Sequence, residues 1–524
     1  MQRLQTPAMS SPRSVMSTPS ASLAKSGSLI PPMHLALLCV LALSATVWGW
    51  MLMDGQGSHE LDNFLLVLGV YGALTAAFIG WRMQSADFRF FAIPNLLSLL
   101  AFVDFGLAPL LCYLTFGEFN PSFHGREGEF VRSLAYVAIG MMAFWAGSHI
   151  AERRKAEVSS AASTRERVSA TSPPLGSAVM WALGLYTVAF LVKTYLLANF
   201  GYDYGLSFDV YFRHLAAMQV ANVTFQLGTY ALIILAIERS FHRFSLERKA
   251  LFWLVFGTEC IWGLLSGMKA NLLQNFVLVA VVSSLTERKL KKSWLAAAVL
   301  GLVVVYPFSI QYRQLVRTRA HEAMGVEDTG QILGSALDQA TGTESTVGGW
   351  TEAGAGSAIS RLNLLQSVAA VLSLGPRADR LKGDERWWML PFYPFIPRFV
   401  WRTKPILDKG RRFSIALGYG DQTATALTYP GDLCFEFGLP GLLIGMFLFG
   451  FVAETVTKLL NVTGSKQHLF VYTGLFLTVI FLVELDAFDF WCTFIRSFVI
   501  LSVVARLAYR QPLFLRVGRD RILR

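Results

Sequence analysis

The stretch GDLCFEFGLPGLLIGMFLFGFVAETVTKLL, residues 431–460, begins with a short acidic segment and continues as a long apolar run. From residue 439 onward it is apolar over the roughly 20 residues that a helix needs to cross a lipid bilayer. Just before that run it carries two carboxylates, Asp432 and Glu436. The stretch therefore predicts a membrane-spanning helix with an acidic pair beside one of its ends.

The rest of the chain is mostly of the apolar kind. Of its 524 residues, 54% are hydrophobic and only 15% are charged, which excludes an ordinary soluble domain. We expect an all-α polytopic integral membrane protein with about twelve transmembrane helices and one long outer loop carrying short helices. The predicted spans are 33–53, 61–81, 91–116, 130–150, 178–200, 220–237, 250–265, 272–285, 294–310, 439–460, 469–485 and 490–507.

These spans divide the chain into five parts. Residues 1–30 are rich in Ser, Pro, Thr and Ala and predict a disordered tail. Residues 31–310 form a membrane bundle of spans 1–9, whose first apolar run is too long for a signal-peptide core. A large loop, 311–438, separates it from spans 10–12 in residues 439–508, and a basic tail, 509–524, ends the chain.

Basic residues fall in every second short loop, which predicts the orientation of the bundle. Arginines and lysines cluster at 82–89, 153–167, 239–249 and 288–292, whereas the alternate short loops are acidic or neutral. Because cytoplasmic loops carry the excess of positive charge, both termini are predicted to be cytoplasmic and the loop 311–438 to lie outside. The net charge of +11 is then explained by the basic cytoplasmic loops and tail, and nucleic acid is not an expected partner.

The long loop contains two recognisable elements. Residues 360–374 have apolar side chains at helical spacing and predict an amphipathic helix. The aromatic residues that follow are typical of an element at the lipid interface. They are Trp387, Trp388, Phe392, Tyr393, Phe395, Phe399 and Trp401.

A block of basic residues in the same loop predicts an anion site. Arginine suits a phosphate because its planar fork donates two hydrogen bonds and stays charged. Binding to anionic lipid head groups, or pairing with the acids of the loop itself, explains the block equally well. The block comprises Arg398, Arg402, Lys404, Arg411 and Arg412, and we expect Lys269, Arg313 and Arg317 on the same face.

Asp432 and Glu436 are the candidate catalytic carboxylates. Thr428 and Pro430 predict a helix start, which places the two acids at i and i+4 on one face. Such a pair repels unless a cation or a proton lies between its members. One of them can act as base for a sugar hydroxyl, both can hold the arginines, or both can belong to a structural ion-pair network.

The five cysteines give no indication of a disulfide framework or a zinc site, because none forms a Cys-x-x-Cys pair. Neither a metal nor an organic cofactor is expected from the sequence.

The order of motifs resembles the bacterial O-antigen polymerase family, the oligosaccharide repeat-unit polymerases. The resemblance is strongest from residue 266 to residue 450. It rests on a Gly-Met-Lys turn between two spans (267–269), a long outer loop, IPRFVWRTKP (396–405), Gly410, Thr423, Thr425, and GDLCFEFGLPG (431–441) leading into a span.

The resemblance implies a glycosyltransferase of the bacterial inner membrane that acts on its outer face. Such enzymes move a growing glycan from one undecaprenyl diphosphate carrier onto the sugar of another lipid-linked repeat unit, alongside a flippase and a chain-length regulator. The basic residues would then neutralise the departing diphosphate, and Asp432 or Glu436 would accept the proton of the attacking hydroxyl. The surface polysaccharide would be an O-antigen, a capsule or an exopolysaccharide.

Three other functions remain open. One is a structural or scaffolding membrane protein, which would not need the arginine block. An O-antigen ligase uses the same donor but typically relies on a histidine in its large loop, and no histidine occurs between Glu322 and Gln467. A polysaccharide flippase has a similar number of spans but no outer loop of this length. The long loop favours an enzyme.

Overall fold

A computed structural model describes a large part of the chain. The described residues are 59–84, 89–119, 128–161, 175–200, 215–242, 244–266, 269–287, 293, 296, 312, 315, 330–332, 334–335, 362–375, 386–397, 400–418, 425–461, 465–482 and 484–509. The predicted tail 1–30, the predicted span 33–53 and residues 510–524 lie outside them, as does nearly all of the predicted span 294–310.

The described residues form thirteen α-helices and no strand. The helices are α1 His59–Met83, α2 Ile93–Phe102, α3 Ala108–Phe116, α4 Gly128–Ala161, α5 Leu175–Phe200, α6 Leu215–Phe241, α7 Leu246–Leu265, α8 Lys269–Glu287, α9 Leu365–Leu374, α10 Lys409–Ala416, α11 Tyr429–Thr457, α12 Lys466–Leu482 and α13 Ala487–Tyr509. A π-helical turn, Val103–Leu107, joins α2 to α3.

Six helical stretches are long and apolar enough to cross a membrane. They are Glu60–Met83, Ile93–Phe116, Gly128–Arg153, Ser177–Asn199, Tyr429–Thr457 and Ala487–Tyr509. The prediction of a multi-pass helical membrane protein is confirmed at this level. Four further predicted spans coincide with α6, α7, α8 and α12, which are not among the six, so the total of about twelve stays a prediction.

The tightest helix crossing in the core joins α4 to α11. A Cβ atom on Gly147 would lie 2.0 Å from the Phe447 carbonyl oxygen, and one on Gly450 would lie 1.9 Å from the Phe144 carbonyl oxygen. Only glycine lets two backbones approach so closely, which is the way helices without a hydrophobic driving force gain packing contacts in lipid. The two glycines therefore set the position of α11 against α4.

Arg82 ties several helices together at one end of the bundle. Its guanidinium lies 3.1 Å from a Glu152 oxygen and 3.1 Å from a Glu454 oxygen, and its Nε donates to Asn95 Oδ1. These groups come from the ends of the spanning stretches of α1, α4 and α11 and from the first turn of α2. The α1, α2–α3 and α4 spans thus alternate in direction, and this end is the one predicted to be cytoplasmic.

A second ion pair lies inside the bundle. Lys193 Nζ of α5 donates to both carboxylate oxygens of Glu259 on α7 at 2.8 Å, and both side chains are buried. Gly228 of α6 faces the pair, since a Cβ there would lie 2.3 Å from Glu259 Oε1. A charge in the apolar interior is tolerated because it is paired, so this contact fixes three helices against one another.

Helix α9 is buried in the bundle, whereas the sequence predicts an amphipathic helix over 360–374. Its residues Leu365 and Val368 are fully buried. The residues before it are anchored to the middle of the α2–α3 span and to the residues after it, because Leu364 N donates to the Asp104 carbonyl oxygen and Asn363 Nδ2 to the Phe119 carbonyl oxygen. A short helix that is apolar on nearly all sides packs inside a protein, so this part of the long loop enters the core.

Candidate functional site

The site is built around the first turns of α11. Thr428 caps the helix by accepting a hydrogen bond from Gly431 N, and Pro430 lies in the first turn, as the sequence predicts. The helix begins at residue 429, ahead of the predicted span at 439, so both candidate carboxylates belong to the helix itself. Gly438, with φ 65° and ψ −157°, breaks the helix just after them, and Pro440 follows.

Lys409 supplies the cation that the acidic pair requires. Its Nζ, on the first residue of α10, donates to Asp432 Oδ1 at 2.8 Å and to Glu436 Oε1 at 2.8 Å. The exposed fraction of the side chain is 3% for Lys409, 0% for Asp432 and 17% for Glu436. A buried ion pair of this kind is costly to break, so it clamps the basic loop segment to the end of the span.

The second carboxylate oxygen of Asp432 forms a hydrogen bond with another helix. Asp432 Oδ2 accepts a hydrogen bond from Ala487 N at 2.9 Å, at the start of α13. Asp486 caps the same helix from the preceding position, because its Oδ1 accepts a hydrogen bond from Asp489 N. A carboxylate at a helix N-terminus is stabilised by the unpaired amides there. Asp432 thus joins α10, α11 and α13, with both of its oxygens in use.

The surroundings of Lys409 keep it charged. Burial lowers the pKa of its ammonium group, but the negative charges of Asp432, Asp486 and Glu436 raise that pKa by more. The pKa of Lys409 therefore lies above its ordinary value. At neutral pH the site contains a fixed positive charge shared by two carboxylates.

Thr428 holds an unusual backbone conformation at the entry to the site. Its φ is 64° and its ψ is 151°, and it is the only non-glycine residue with positive φ among those that the structure describes. A β-branched side chain is strained there. The conformation is fixed by its amide, which donates to the Glu484 carbonyl oxygen, and by its carbonyl oxygen, which accepts from Asp432 N.

Three of the predicted anion-binding arginines lie on α10 or in the segment that precedes it. Arg402 is exposed, and Arg411 and Arg412 are half-buried. Arg412 Nε lies 2.9 Å from Asp408 Oδ1, which holds that guanidinium along the helix. Because Lys409 anchors α10 to α11, Arg411 and Arg412 lie in the same part of the molecule as Asp432 and Glu436.

Lys404 has a different environment from the arginines. It is buried, and its Nζ donates to the Tyr393 carbonyl oxygen at 2.7 Å and to the Ile396 carbonyl oxygen at 2.9 Å. It also lies over the Tyr393 ring. These contacts assign Lys404 to the folding of its own segment, although the sequence predicts an anion ligand.

The remaining predicted basic residues cannot be placed beside the site. Arg398, Arg313 and Arg317 lie outside the described residues. The backbone of Lys269 opens α8, but its side chain is not among those described. Their predicted contribution to an anion site stays a prediction.

The two carboxylates differ in what they can do chemically. Asp432 is fully buried, and each of its oxygens accepts a hydrogen bond, so it has no free lone pair facing solvent. Glu436 uses Oε1 for Lys409 and remains partly exposed. A general base must reach its substrate proton, so Glu436 is the better candidate and Asp432 is an anchor.

Lys409 is the residue that the sequence does not single out as a ligand of the carboxylates. The signal for it is the acidic pair at i and i+4, which calls for a cation between its members. Which of the nearby basic residues fills that place depends on the path of the chain between residues 409 and 432. That path is set by tertiary packing and cannot be read from local patterns.

Among the residues that the structure describes, no group of three or more His, Cys, Asp or Glu side chains is arranged to hold a metal ion. Comparison with protein-family models, with curated proteins and with solved structures gives no match to this chain. The resemblance to the O-antigen polymerases therefore remains a prediction from sequence motifs.

Proposed function

We propose that this protein is a membrane glycosyltransferase that polymerises undecaprenyl-diphosphate-linked oligosaccharide repeat units on the outer face of a bacterial inner membrane. The observation that carries the proposal is the bridge from Lys409 to Asp432 and Glu436. It attaches an arginine-bearing helix to the end of a membrane span, where a lipid-borne diphosphate would arrive.

The basic residues around α10 suit a diphosphate leaving group. When the bond between the sugar and the diphosphate breaks, negative charge develops on the phosphate oxygens. Preorganised donors at that point lower the barrier. In the proposal Arg411 contacts the diphosphate together with Arg412, whose pairing with Asp408 fixes its direction.

Glu436 would take the proton that the reaction releases. In the proposed step a hydroxyl oxygen of the acceptor sugar attacks the anomeric carbon of the donor glycan, and a new C–O bond forms. The bond from that carbon to the diphosphate oxygen breaks, and carrier diphosphate departs with its electron pair. The proton of the attacking hydroxyl passes to Glu436, whose side chain is the more accessible of the two carboxylates.

The test is a gel of lipid-linked and surface glycan from a strain lacking the gene, complemented with wild type or with the Arg411→Ala/Arg412→Ala variant. The proposal predicts long chains with wild type and only single repeat units with the variant. The matched control is Arg132→Ala, which removes an exposed arginine near the start of α4, at the same predicted face, and should leave chain length unchanged.

Other outcomes of the same gel would contradict the proposal. Long chains that accumulate on the carrier lipid in the deletion strain would indicate a ligase. Repeat units trapped on the cytoplasmic side would indicate a flippase. Wild-type chain length in the double variant would contradict the proposal that Arg411 and Arg412 bind the diphosphate.

A further inference from the structure

The segment before α10 presents a row of large apolar side chains to the outside. We call residues 386–397 and 400–408 the aromatic segment. In it Trp388 is 67% exposed, Phe392 58% and Val400 66%. Soluble surfaces rarely carry such a concentration of exposed apolar area, and where they do it marks an interaction surface.

This exposure is not a sign of a loosely held loop. Tyr393 is buried, packs against the Phe488 ring at 5.5 Å, and donates its hydroxyl hydrogen to the Pro405 carbonyl oxygen at 2.7 Å. On the inner side of the segment, Lys404 Nζ donates hydrogen bonds to the carbonyl oxygens of Tyr393 and Ile396. The inward side chains thus fix the backbone while the outward ones remain uncovered.

The exposed surface continues onto a membrane span. Trp387 of the aromatic segment contacts the Phe437 ring at 5.5 Å between centroids. Phe437 is exposed on α11, and Ile444 and Leu448 are exposed further along the same helix. Apolar side chains exposed on a span face lipid, so the aromatic segment extends the lipid-facing surface of α11 at its outer end.

We propose that the aromatic segment lies in the interface of the outer leaflet, with its exposed aromatic and apolar side chains between the lipid head groups and the upper acyl chains. Tryptophan is enriched at that depth because its ring is apolar and its N–H is polar. The exposed Arg402 suits the phosphate level of the same interface. The inference concerns membrane contact and holds whether or not the protein is a polymerase.

The test measures depth at single spin labels in nanodiscs of phosphatidylethanolamine and phosphatidylglycerol. Labels are placed by Trp388→Cys and Phe392→Cys. The lipid reference is Ile444→Cys on α11, and the water reference is Glu118→Cys, an exposed position after α3. The unmutated chain, with its five native cysteines, is labelled in parallel to give the background.

The proposal predicts that labels at positions 388 and 392 collide more often with oxygen, and less often with a water-soluble nickel complex, than the label at position 118. Both collision rates should approach those of the label at position 444. Nickel collisions equal to those at 118 would place the segment in water and overturn the proposal. Protection from both reagents would also overturn it, because another protein or a second copy of the chain would then cover the surface. Neither readout depends on glycan synthesis, so its failure is distinguishable from failure of the proposed function.

Discussion

Replacing Lys409 by Met tests the ion bridge that organises the site. Methionine keeps most of the length and the apolar stem of the side chain but removes the ammonium group. Asp432 Oδ1 and Glu436 Oε1, each 2.8 Å from that ammonium group, would then face each other without a cation. Breaking a buried pair by removing one partner costs about 3–5 kcal/mol, so we expect a loss of that order in the free energy of unfolding.

The assay is titration of the purified chain with SDS in mixed micelles, followed by tryptophan fluorescence. The matched control, Lys249→Met, removes an exposed lysine on α7 and should change the unfolding free energy by no more than about 0.5 kcal/mol. Combining Lys409→Met with Asp432→Asn should recover about 0.5–3 kcal/mol, because the unpaired buried charge disappears. A Lys409→Met variant as stable as the control would refute the reasoning.

Three further predictions follow from the same region and its supports. Thr428→Gly should raise the free energy of unfolding by about 1 kcal/mol, because glycine adopts the positive φ without strain, and replacing a helix N-cap by glycine costs only about a few tenths of a kcal/mol. A decrease in the free energy of unfolding would show that the backbone at this position is unstrained. Gly450→Ala should lower the free energy of unfolding by about 1–3 kcal/mol, because the added methyl group forces α11 away from α4. The control, Gly184→Ala, adds a Cβ with nothing within 4 Å and should not lower the free energy of unfolding; equal losses in the two variants would contradict the close packing of α11 on α4. Glu436→Gln should slow glycan polymerisation about 10²–10⁴-fold at near wild-type stability, and Asp432→Asn should slow it less; the reverse order, measured on lipid-linked substrate, would exchange the two roles.

Some of this architecture follows directly from the sequence. Apolar runs of spanning length and the alternation of basic loops predict a helical membrane bundle and its direction of threading, since both depend on local composition. The start of α11 is equally local, because Thr428 and Pro430 carry the capping signal. The repulsion expected between Asp432 and Glu436 predicts a compensating cation near them.

The rest depends on contacts between distant parts of the chain. Lys409 is one of several basic residues in its segment, and only the fold selects it and turns Lys404 toward backbone carbonyls instead. Helix α9 has enough apolar residues for either a surface stripe or a buried helix, and its burial is decided by the apolar core of distant helices that packs around it. Helix packing at Gly147 also requires knowledge of which helix lies opposite.

The most direct test of the central claim is to incubate the purified wild-type protein in nanodiscs with lipid-linked repeat units extracted from the deletion strain. Mass spectrometry would follow the glycan. The account predicts carrier-linked products that grow by one repeat unit at a time, with release of one undecaprenyl diphosphate for each bond formed, and no such products with the Arg411→Ala/Arg412→Ala variant. Repeat units that remain unchanged with the wild-type protein, or that grow equally with the variant, would contradict it.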